Sequence, residues 1–331
     1  MVDTVLVTGG AGYIGSHTCK LLHQSGFTPV AYDNLATGTK ENVKWGPLVR
    51  GDVRDRDQLK HAIKLWQPVC VIHFAASAYV GESVVDPRKY YNNNVAGILS
   101  LLDTCVDIKL RNIVFSSSCA TYGVPTELPI AEASSQAPIN PYGRTKLIGE
   151  MMLRDYAAAY RIRYVALRYF NAAGADIDGE LRERHDPETH LIPRALMAAA
   201  GRIPALTVFG DDYDTPDGTC VRDYVHVTDL AQAHVSAVHH LIAGGKNLMV
   251  NLGSGQGTSV QQIIDTIERL THRRVPVRRE ARREGDPAAL CSDLKMAASE
   301  LHFAPRFSDI ETIIRTAAPT FGLEIKHDVV A

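Results

Sequence analysis

The stretch TVLVTGGAGYIGSH, at residues 4–17, decides the fold of this chain. A short apolar run at residues 5–7 ends in glycines, and a helical pattern follows as far as Leu22. A second apolar run, at residues 28–32, then ends at Asp33. Strand, glycine loop, helix, strand and acid within about 30 residues is the spacing of a βαβ unit.

The glycine loop predicts a dinucleotide site. Gly9 permits the tight turn, Gly12 lets the backbone approach a pyrophosphate, and Gly15 allows the helix to pack closely on the strand. The helix N-terminus would then hold the diphosphate. Asp33 would bond the adenosine ribose and repel a 2′-phosphate, so we expect NAD rather than NADP. The alternative is an ordinary glycine turn with a solvated aspartate.

Apolar runs alternate with helical patterns through the rest of the first half. The strand-like runs are residues 69–74, 112–116 and 164–168, and the helical patterns cover residues 95–106 and 145–160. This alternation predicts an α/β fold, a doubly wound parallel Rossmann-type sheet with a smaller C-terminal α/β substrate lobe. We place the NAD-binding domain at residues 1–172 and the substrate domain at 173–331, with chain crossovers between them allowed. A helix is expected at residues 260–271.

The bulk properties exclude several classes of partner. The 331 residues are 45% hydrophobic and 22% charged, with a net charge of -2. This balance gives no reason to expect nucleic acid or an acidic membrane surface as a partner. The six cysteines are scattered without a C-x-x-C pair, so we expect neither a metal nor a disulfide framework, and a reducing cytoplasm. We find no leader segment and no apolar stretch of roughly 18 residues that could span a membrane.

A candidate reaction centre lies near the middle of the chain. Tyr142 and Lys146 form a Y-x-x-x-K pair on one face of a helix that follows Pro141. We expect the lysine ammonium, together with the positive nicotinamide ring, to favour the phenolate, so that Tyr142 acts as a base. Three serines, 116–118, follow a strand, and Ser118 is the best candidate to bind the reacting oxygen and pass on its proton. A solvated surface pair of Tyr and Lys is the alternative.

Nine blocks of sequence spread along the chain carry a closer resemblance. They are TGGAGYIGSH (8–17), HFAA (73–76), YYNNNV (90–95), SSSCATYG (116–123), PYGRTK (141–146), LRYFNAAGA (167–175), VRDYVHVTDLA (221–231), NLGSG (251–255) and REGDPA (283–288). Together they resemble the UDP-glucose 4-epimerase family of the extended short-chain dehydrogenase/reductase superfamily. The resemblance implies an isomerase that inverts C4 of a UDP-hexose through a transient 4-keto sugar, with NAD as cofactor and a homodimer as the assembly.

The same resemblance implies a set of binding residues. NAD contacts would come from Gly9, Gly12, Tyr13, Ile14, Gly15, Asp33, Asn34, Asp52, Val53, Phe74, Ala75, Ala76, Asn94, Ser116, Tyr142, Lys146 and Phe170. Substrate contacts would come from Ser118, Tyr142, Asn171, His190, Leu191, Leu206, Thr207, Phe209, Arg222, Tyr224, Arg283, Asp286 and Leu290. Arg222 and Arg283 suit a diphosphate, since guanidinium forks pair with phosphate oxygens. Asp286 would accept hydrogen bonds from the uridine ribose.

Several positions depart from the family pattern. The loop at residues 77–79 reads SAY and lacks a lysine expected to contact the NAD phosphate. His190 stands where many members have an asparagine, and it would either bond the substrate or have a structural role. The threonine after the serines is shifted by one, to Thr121. Leu290 falls at the position beside the C2 substituent of the sugar, and its intermediate size predicts weak activity on N-acetylated sugars.

Related enzymes of the same fold are the main alternatives. A 4-epimerase of UDP-pentoses, UDP-uronates or UDP-N-acetylhexosamines would share most of these residues. A dehydratase would need an acid pair after the serines, where this chain has Cys119 and Ala120. A silent NAD-sensing scaffold would be expected to lack Tyr142 or Lys146, and both are present.

Overall fold

The computed structural model describes residues 2–283 and 285–326. The strands are β1 (Thr4–Thr8), β2 (Thr28–Asp33), β3 (Leu48–Arg50), β4 (Cys70–His73), β5 (Asn112–Ser118), β6 (Arg163–Tyr169), β7 (Asn171–Ala173), β8 (Leu206–Phe209), β9 (Val221–His226), β10 (Leu248–Leu252), β11 (Gly257–Ser259), β12 (Val277–Glu280) and β13 (Ala289–Leu290). The helices are α1 (Tyr13–Gln24), α2 (Arg56–Trp66), α3 (Val80–Val85), α4 (Pro87–Tyr90), α5 (Ala96–Ile108), α6 (Pro141–Tyr160), α7 (Leu191–Ala199), α8 (Val227–Ile242), α9 (Val260–Thr271), α10 (Lys295–Leu301) and α11 (Ile310–Ala317).

The main sheet has seven parallel strands in the order β10-β6-β5-β4-β1-β2-β3. Its central strands are buried on both faces, which is why they read in the sequence as nearly continuous apolar runs. The order reverses between β1 and β4, because β2 and β3 continue the sheet on one side of β1 and β4 begins the other side. Open sheets of this kind bind ligands outside the carboxyl ends of the strands at such a switch point. The predicted doubly wound parallel sheet is confirmed.

Helices cover both faces of this sheet, and the sheet separates two hydrophobic clusters. On one face, α1, α8 and α10 pack against residues such as Val7, Val114 and Val250. On the other face, α2, α5 and α6 pack against residues such as Leu6, Ile113 and Ala166. Both faces are therefore dry, and the open surface that remains for a ligand is the edge where the strands end.

The second half of the chain builds smaller sheets and also returns to the main one. In it β9 pairs with β7, β11 and β13, and β8 pairs with β12. A third cluster joins α7, α9 and α11 around Leu196, Ile264 and Ile313. The chain returns to the main sheet at β10, which lies beside β6. The end of β9 and the start of α8 therefore lead from the smaller lobe back to the sheet.

Helix ends follow the local sequence. Helix α9 begins with a capping box, in which the Ser259 hydroxyl accepts from the Gln262 amide and the Gln262 side chain accepts from the Ser259 amide. Its bounds are those predicted from the apolar pattern at residues 260–271. Across the two described ranges, no helix is both long and apolar enough to cross a bilayer. All six cysteines are free thiols.

Candidate active site

Most residues predicted for the site lie at the carboxyl edge of the main sheet. Strand β1 ends in the glycine loop, β2 ends at Asp33, and β4 ends before Phe74. Strand β5 ends at Ser118, beside the end of β6. Because parallel strands end at one edge, residues far apart in sequence meet beside the switch point, and a crevice there is what the fold predicts for a dinucleotide.

The glycine loop has the geometry that a phosphate-binding turn needs. Gly9 has φ +76°, and a Cβ on it would lie 2.8 Å from the Ala75 backbone nitrogen. A Cβ on Gly15 would lie 2.2 Å from the Gly9 carbonyl oxygen, so only glycine lets α1 approach the loop. Gly12 is the N-cap of α1, and no described side chain caps it. The first turn of α1 also has no acidic residue, which leaves its amides available to an anion. These residues fit a dinucleotide diphosphate.

Asp33 is held at the end of β2 by two backbone amides. Its carboxylate accepts from the Ala11 amide at 3.0 Å and from the Leu35 amide at 2.8 Å. Burial raises the pKa of Asp33 above its usual range, although both amide bonds act in the opposite direction. The amides orient the carboxylate at the sheet edge, and its remaining lone pairs suit ribose hydroxyls.

Other residues predicted to contact the cofactor form hydrogen bonds or apolar contacts within the protein. The Tyr13 hydroxyl donates to the Gly174 carbonyl oxygen at 2.6 Å. Asn34 donates to Asp52, whose carboxylate also holds Arg54. Ile14 and Phe74 belong to the hydrophobic cluster on one face of the sheet, Val53 and Ala75 belong to the cluster on the other face, and Ala76 is half-buried after β4.

Tyr142 and Lys146 lie in the first two turns of α6. Asn140 caps this helix by accepting from the Gly143 amide at 2.8 Å, and Pro141 occupies the first helical position. Both side chains are buried, at 9% and 4% exposure. The Lys146 ammonium lies 5.8 Å from the centroid of the Tyr142 ring. The structure therefore brings the predicted pair together on one helix face.

Burial dominates the pKa values of this pair. Burial raises the pKa of Tyr142 to about 12, although its hydrogen bond with Ser118 acts in the opposite direction. Burial also lowers the pKa of Lys146 to about 7, although the Glu150 carboxylate opposes this change. In the protein without NAD, desolvation therefore dominates both pKa shifts, and the joint effect of Lys146 and the nicotinamide ring on the phenol stays a prediction. A cation bound beside the phenol is needed to reverse the shift.

The three serines at the end of β5 have different partners. The Ser116 hydroxyl pairs with the Tyr169 hydroxyl, and the Ser116 carbonyl oxygen accepts from the Lys146 ammonium at 2.6 Å. Ser117 projects from the opposite face of the strand and donates to Glu150 at 2.5 Å. Ser118 accepts from the Ala120 amide at 3.2 Å, and its hydroxyl lowers the pKa of the Tyr142 phenol beside it. Ser118 is thus the serine placed to share a proton with Tyr142.

A π-helical turn at Tyr91–Val95 positions Asn94. The Asn94 amide nitrogen donates to the Thr145 hydroxyl at 3.0 Å and to the Ser77 carbonyl oxygen at 3.0 Å, and its oxygen accepts from the Ser77 amide at 2.8 Å. Asn94 therefore ties the loop after β4 to α6, next to Lys146. Thr145 and Ser77 were missed by the sequence analysis, although the polar run in YYNNNV signals an interrupted helix.

A buried ion pair between Arg168 of β6 and Glu150 of α6 holds the helix that carries Tyr142 and Lys146 against the sheet. The Arg168 guanidinium contacts the Glu150 carboxylate through two bonds, at 2.8 and 2.7 Å, and both side chains are almost fully buried. Gln136 and Ser117 also donate to Glu150. Because Glu150 lies one turn after Lys146, the pair fixes α6 against β5 and β6. Neither Arg168 nor Glu150 is predicted as a site residue from the sequence.

Apart from Ser118 and Tyr142, most of the predicted substrate residues lie in the second half of the chain. Arg222 and Asp286 form an ion pair with each other, with side-chain exposures of 12% and 28%. Arg283 lies over the Phe209 ring, 3.9 Å from its centroid. Asn171 donates to the Asp223 carbonyl oxygen at 2.9 Å. Two arginines, a carboxylate and an aromatic ring thus form a polar surface suited to a nucleotide diphosphate.

Several predicted substrate residues are mainly structural in their side-chain contacts. Leu206 and Tyr224 are buried in the cluster around α7, and Leu191 packs against it. Thr207 lies between buried residues of β8 and is half-buried. Thr121 donates to the Ser118 carbonyl oxygen at 3.0 Å and is fully buried, which removes it from direct contact with a ligand.

Leu290 and Phe170 belong to one small apolar cluster. Phe170 is buried with Tyr122 and Ile130, and Leu290 packs against this group from β13. A residue predicted to contact NAD and the residue predicted to lie beside the sugar C2 substituent are therefore part of the same cluster. A change of volume at Leu290 would be felt at Phe170.

His190 belongs to a group of charged side chains just before α7. Its Nδ1 lies 2.9 Å from Glu188 Oε1 and 3.0 Å from Glu183 Oε1, and His185 contacts the same two carboxylates. Hydrogen bonds to Glu183 and Glu188 raise the pKa of His190 to about 10, although burial opposes this shift. His190 thus contacts side chains of its own segment, and its role toward a substrate stays a prediction.

Comparisons with known proteins agree with this geometry. Residues 5–253 match the NAD dependent epimerase/dehydratase family. A UDP-glucose 4-epimerase of Rhizobium meliloti (strain 1021) is 50% identical over 315 residues, which cover 95% of this chain and 96% of that protein.

Two crystal structures are also similar along almost their full length. The UDP-glucose 4-epimerase of Brucella ovis in complex with NAD is 64% identical, with a TM-score of 0.97 over 98% of this chain and 100% of that one. The UDP-glucose-4-epimerase of Stenotrophomonas maltophila, with bound NAD and formylated UDP-arabinopyranose, is 39% identical, with a TM-score of 0.94 over 97% and 98% of the two chains. The chain therefore belongs to the NAD dependent epimerase/dehydratase family and, within it, to the UDP-glucose 4-epimerases.

Proposed function

We propose that this NAD-dependent isomerase interconverts UDP-glucose and UDP-galactose by inverting C4 of the hexose. The observation that carries the proposal is the buried group of Tyr142, Ser118 and Lys146 at the carboxyl end of β5, beside the glycine loop. Such a group can take a proton from a hydroxyl next to a dinucleotide. The family and its relatives support the choice of substrate.

In this mechanism the chain itself moves one proton. Tyr142 takes the proton from O4 of the sugar, with Ser118 holding that oxygen, and later returns it. Lys146, fixed on the Ser116 carbonyl oxygen, keeps a positive charge near the phenol whenever it is protonated. NAD, when bound, supplies a reversible hydride acceptor beside C4. Because burial raises the pKa of Tyr142, loss of the phenol proton would depend on two nearby positive charges, the Lys146 ammonium and the nicotinamide ring of bound NAD.

The second lobe would hold the UDP part of the substrate. Arg222 and Arg283 are the proposed diphosphate ligands, and Asp286 is the proposed partner of the uridine ribose. Asn171, Phe209 and the first residues of α7 would complete the surface. Anchoring through UDP leaves the hexose few contacts, so that the 4-keto sugar can turn about its diphosphate linkage and present its other face.

The test is incubation of the purified protein with UDP-galactose, followed by chromatography of the products. We expect UDP-glucose to form without added NAD and without net reduction of the cofactor. Tyr142→Phe should keep the fold and lower the rate by roughly 10²–10⁴-fold, since it removes the proton acceptor. A stable UDP-galactose peak, or a Tyr142→Phe rate within a few-fold of wild type, would overturn the proposal.

The contact of Leu290 with the Phe170 cluster favours a broader substrate range as a second candidate function. Leucine leaves more room beside the sugar C2 substituent than tyrosine does. We expect slow turnover of UDP-N-acetylglucosamine, and Leu290→Tyr should abolish it while UDP-galactose turnover remains. If wild type shows no turnover of the N-acetylated sugar, this second function is excluded.

We further propose a homodimer in a reducing cytoplasm, in accord with the six free thiols. Sedimentation would reveal the assembly.

For the domain organisation, we propose a cofactor lobe of residues 1–172 and a substrate lobe of residues 173–331, with β10 and its flanking helices crossing back to the first lobe. Limited proteolysis between the lobes would test this division.

A further inference from the structure

The segment before α7 carries a group of side chains that the epimerase mechanism does not use. It consists of Glu183, His185, Glu188 and His190, in the pattern E-x-H-x-x-E-x-H. Each residue offers one ligand atom, and these four atoms lie within 4.8 Å of one another. No metal is expected from the Cys/His spacing of the chain, whereas this pattern combines two imidazoles with two carboxylates.

Every histidine of the group contacts both glutamates. His185 Nδ1 lies 3.0 Å from Glu183 Oε1 and 3.7 Å from Glu188 Oε2. His190 Nδ1 lies 3.0 Å from Glu183 Oε1 and 2.9 Å from Glu188 Oε1. Ligands of a tetrahedral Zn²⁺ at about 2.0–2.2 Å from the ion are separated by about 3.3 Å, and the observed distances fall around this value.

Hydrogen bonding explains only part of this arrangement. His190 Nδ1 bonds Glu188 Oε1 at 2.9 Å, and the Thr189 and His190 amides donate to the same oxygen at 2.8 Å, which leaves His185 and Glu183 to be explained. A ring nitrogen carries at most one proton, and each Nδ1 has two carboxylates around it. His185 Nδ1 is buried and makes no hydrogen bond of acceptable angle with any described residue, although Glu183 Oε1 is near. The two carboxylates are also largely buried, at 8% and 9% side-chain exposure, and within the described ranges neither forms an ion pair with Lys or Arg. A divalent cation would satisfy all four groups at once.

A second acidic group nearby shows the contrast. Asp176, Asp178 and Glu180 also converge, but the Lys20 ammonium lies 2.8, 2.6 and 2.7 Å from their carboxylates. That group already holds a cation from the protein itself. The Glu/His group has its ligand atoms directed at one another without such an occupant among the described side chains.

We propose that Glu183, His185, Glu188 and His190 form a structural site for a divalent transition metal of the Zn²⁺ type. The ligand set of imidazole nitrogens and carboxylate oxygens, closed by four protein groups, fits such a site. The ring of His185 packs edge-on against Tyr13 and Tyr79, at centroid distances of 6.3 and 5.7 Å, and these contacts orient the ligand.

The position of the site gives the metal a structural role. Tyr13 begins α1 at the predicted cofactor diphosphate, Tyr79 lies in the loop after β4, and His190 is the N-cap of α7. A metal here would tie the start of the substrate lobe to the cofactor side of the crevice. It also assigns His190 to the metal rather than to the substrate.

The test is metal binding by the full-length protein, read without any activity assay. Protein treated with a chelator and dialysed is titrated with Zn²⁺ against a chromophoric chelator, and separately with Co²⁺. Wild type should take up a single Zn²⁺ per chain tightly and give the strong visible absorption of tetrahedral Co²⁺. His185→Gln and Glu183→Gln should lose both properties, whereas His61→Gln, at an exposed position on α2, should keep them.

The Co²⁺ spectrum of wild type tests the site even if the variants fail to fold. Glu188→Gln provides a further ligand variant. The proposal is overturned if wild type binds neither ion, or if His185→Gln binds Zn²⁺ as tightly as wild type. Because the readout is binding and absorption, loss of the metal is distinguished from failure of the proposed epimerase activity.

Discussion

Lys146 Nζ donates a hydrogen bond to the Ser116 carbonyl oxygen at 2.6 Å, which fixes the ammonium at the carboxyl end of β5. The same nitrogen lies 5.3 Å from the centroid of the Phe115 ring and 5.8 Å from that of Tyr142. A backbone acceptor cannot be removed by changes to the surrounding side chains. The separation of ammonium and phenol is therefore set by the fold itself.

Replacing Lys146 by methionine should slow the reaction and shift its pH dependence upward. The phenol pKa is already raised by burial, and loss of the ammonium removes a cation that favours the phenolate. We expect the rate to fall by roughly 10²–10⁴-fold, as for other losses in acid–base catalysis. The measurement is kcat against pH for Lys146→Met and wild type at equal NAD content.

Lys146→Arg is the control for that variant, because it keeps a charge but replaces a compact ammonium with a planar fork. It should recover part of the rate and move the pH profile back toward that of wild type. An unchanged pH profile in Lys146→Met would show that Lys146 does not act on the phenol.

Glu150→Gln should destabilise the protein strongly, although Glu150 contacts no proposed ligand. It would leave the Arg168 guanidinium buried without a counter-charge, which costs about 3–5 kcal/mol when one partner of a buried pair is removed. Urea unfolding at fixed NAD concentration measures the loss. The matched control is Arg56→Gln, which breaks surface pairs with Asp103 and Asp107 and should change stability by about 1 kcal/mol or less. Equal shifts for the two variants would contradict this account.

Local patterns in the sequence predict the fold and the glycine loop well, for physical reasons. Strands buried on both faces read as short apolar runs, and the loop needs glycine where a Cβ would collide with backbone, as at Gly15. Tyr142 and Lys146 were found because one helix turn separates them. Each of these features depends on neighbours in sequence.

Features that depend on distant residues were missed. The Arg168–Glu150 pair joins a strand to a helix, and Asn94 reaches Thr145 across 51 residues. Neither pairing leaves a periodic pattern. The raised pKa of Tyr142 has the same origin, since it reflects how completely the folded chain excludes water, which the Y-x-x-x-K spacing does not encode.

Acid should unfold the protein through its buried histidines. Burial lowers the pKa of His17, His226 and His234 to about 4, and that of His73 to about 3. The unfolded chain has a usual histidine pKa near 6.5, so it binds more protons than the folded chain at pH values between about 4 and 6.5. Stability is therefore fully present above about pH 6.5 and is lost as the pH falls through this window.

His234→Leu tests this linkage at one residue. His234 lies under Phe74 and Tyr169, donates to the Leu230 carbonyl oxygen and has no described partner at Nε2. We expect the slope of unfolding free energy against pH to fall by about one proton between pH 6.5 and 4. His61→Gln, at an exposed position, should leave the slope unchanged. A wild-type slope in His234→Leu would refute the proposed role of this histidine.

Arg222→Ala should weaken UDP binding while leaving the chemical step largely intact. Hydrogen bonds to charged groups contribute about 1.5–3 kcal/mol, so we expect the inhibition constant of UDP to rise roughly 10–100-fold. The proposed anchor lies on β9 and does not belong to the Tyr142 group, so kcat should stay within a few-fold of wild type.

Arg222 is also held by Asp286, so part of its contribution to UDP binding depends on that carboxylate. A double-mutant cycle with Asp286→Asn should therefore show non-additive losses in UDP affinity. If kcat collapses in Arg222→Ala while the UDP inhibition constant is unchanged, the guanidinium acts on the reaction centre rather than on the diphosphate.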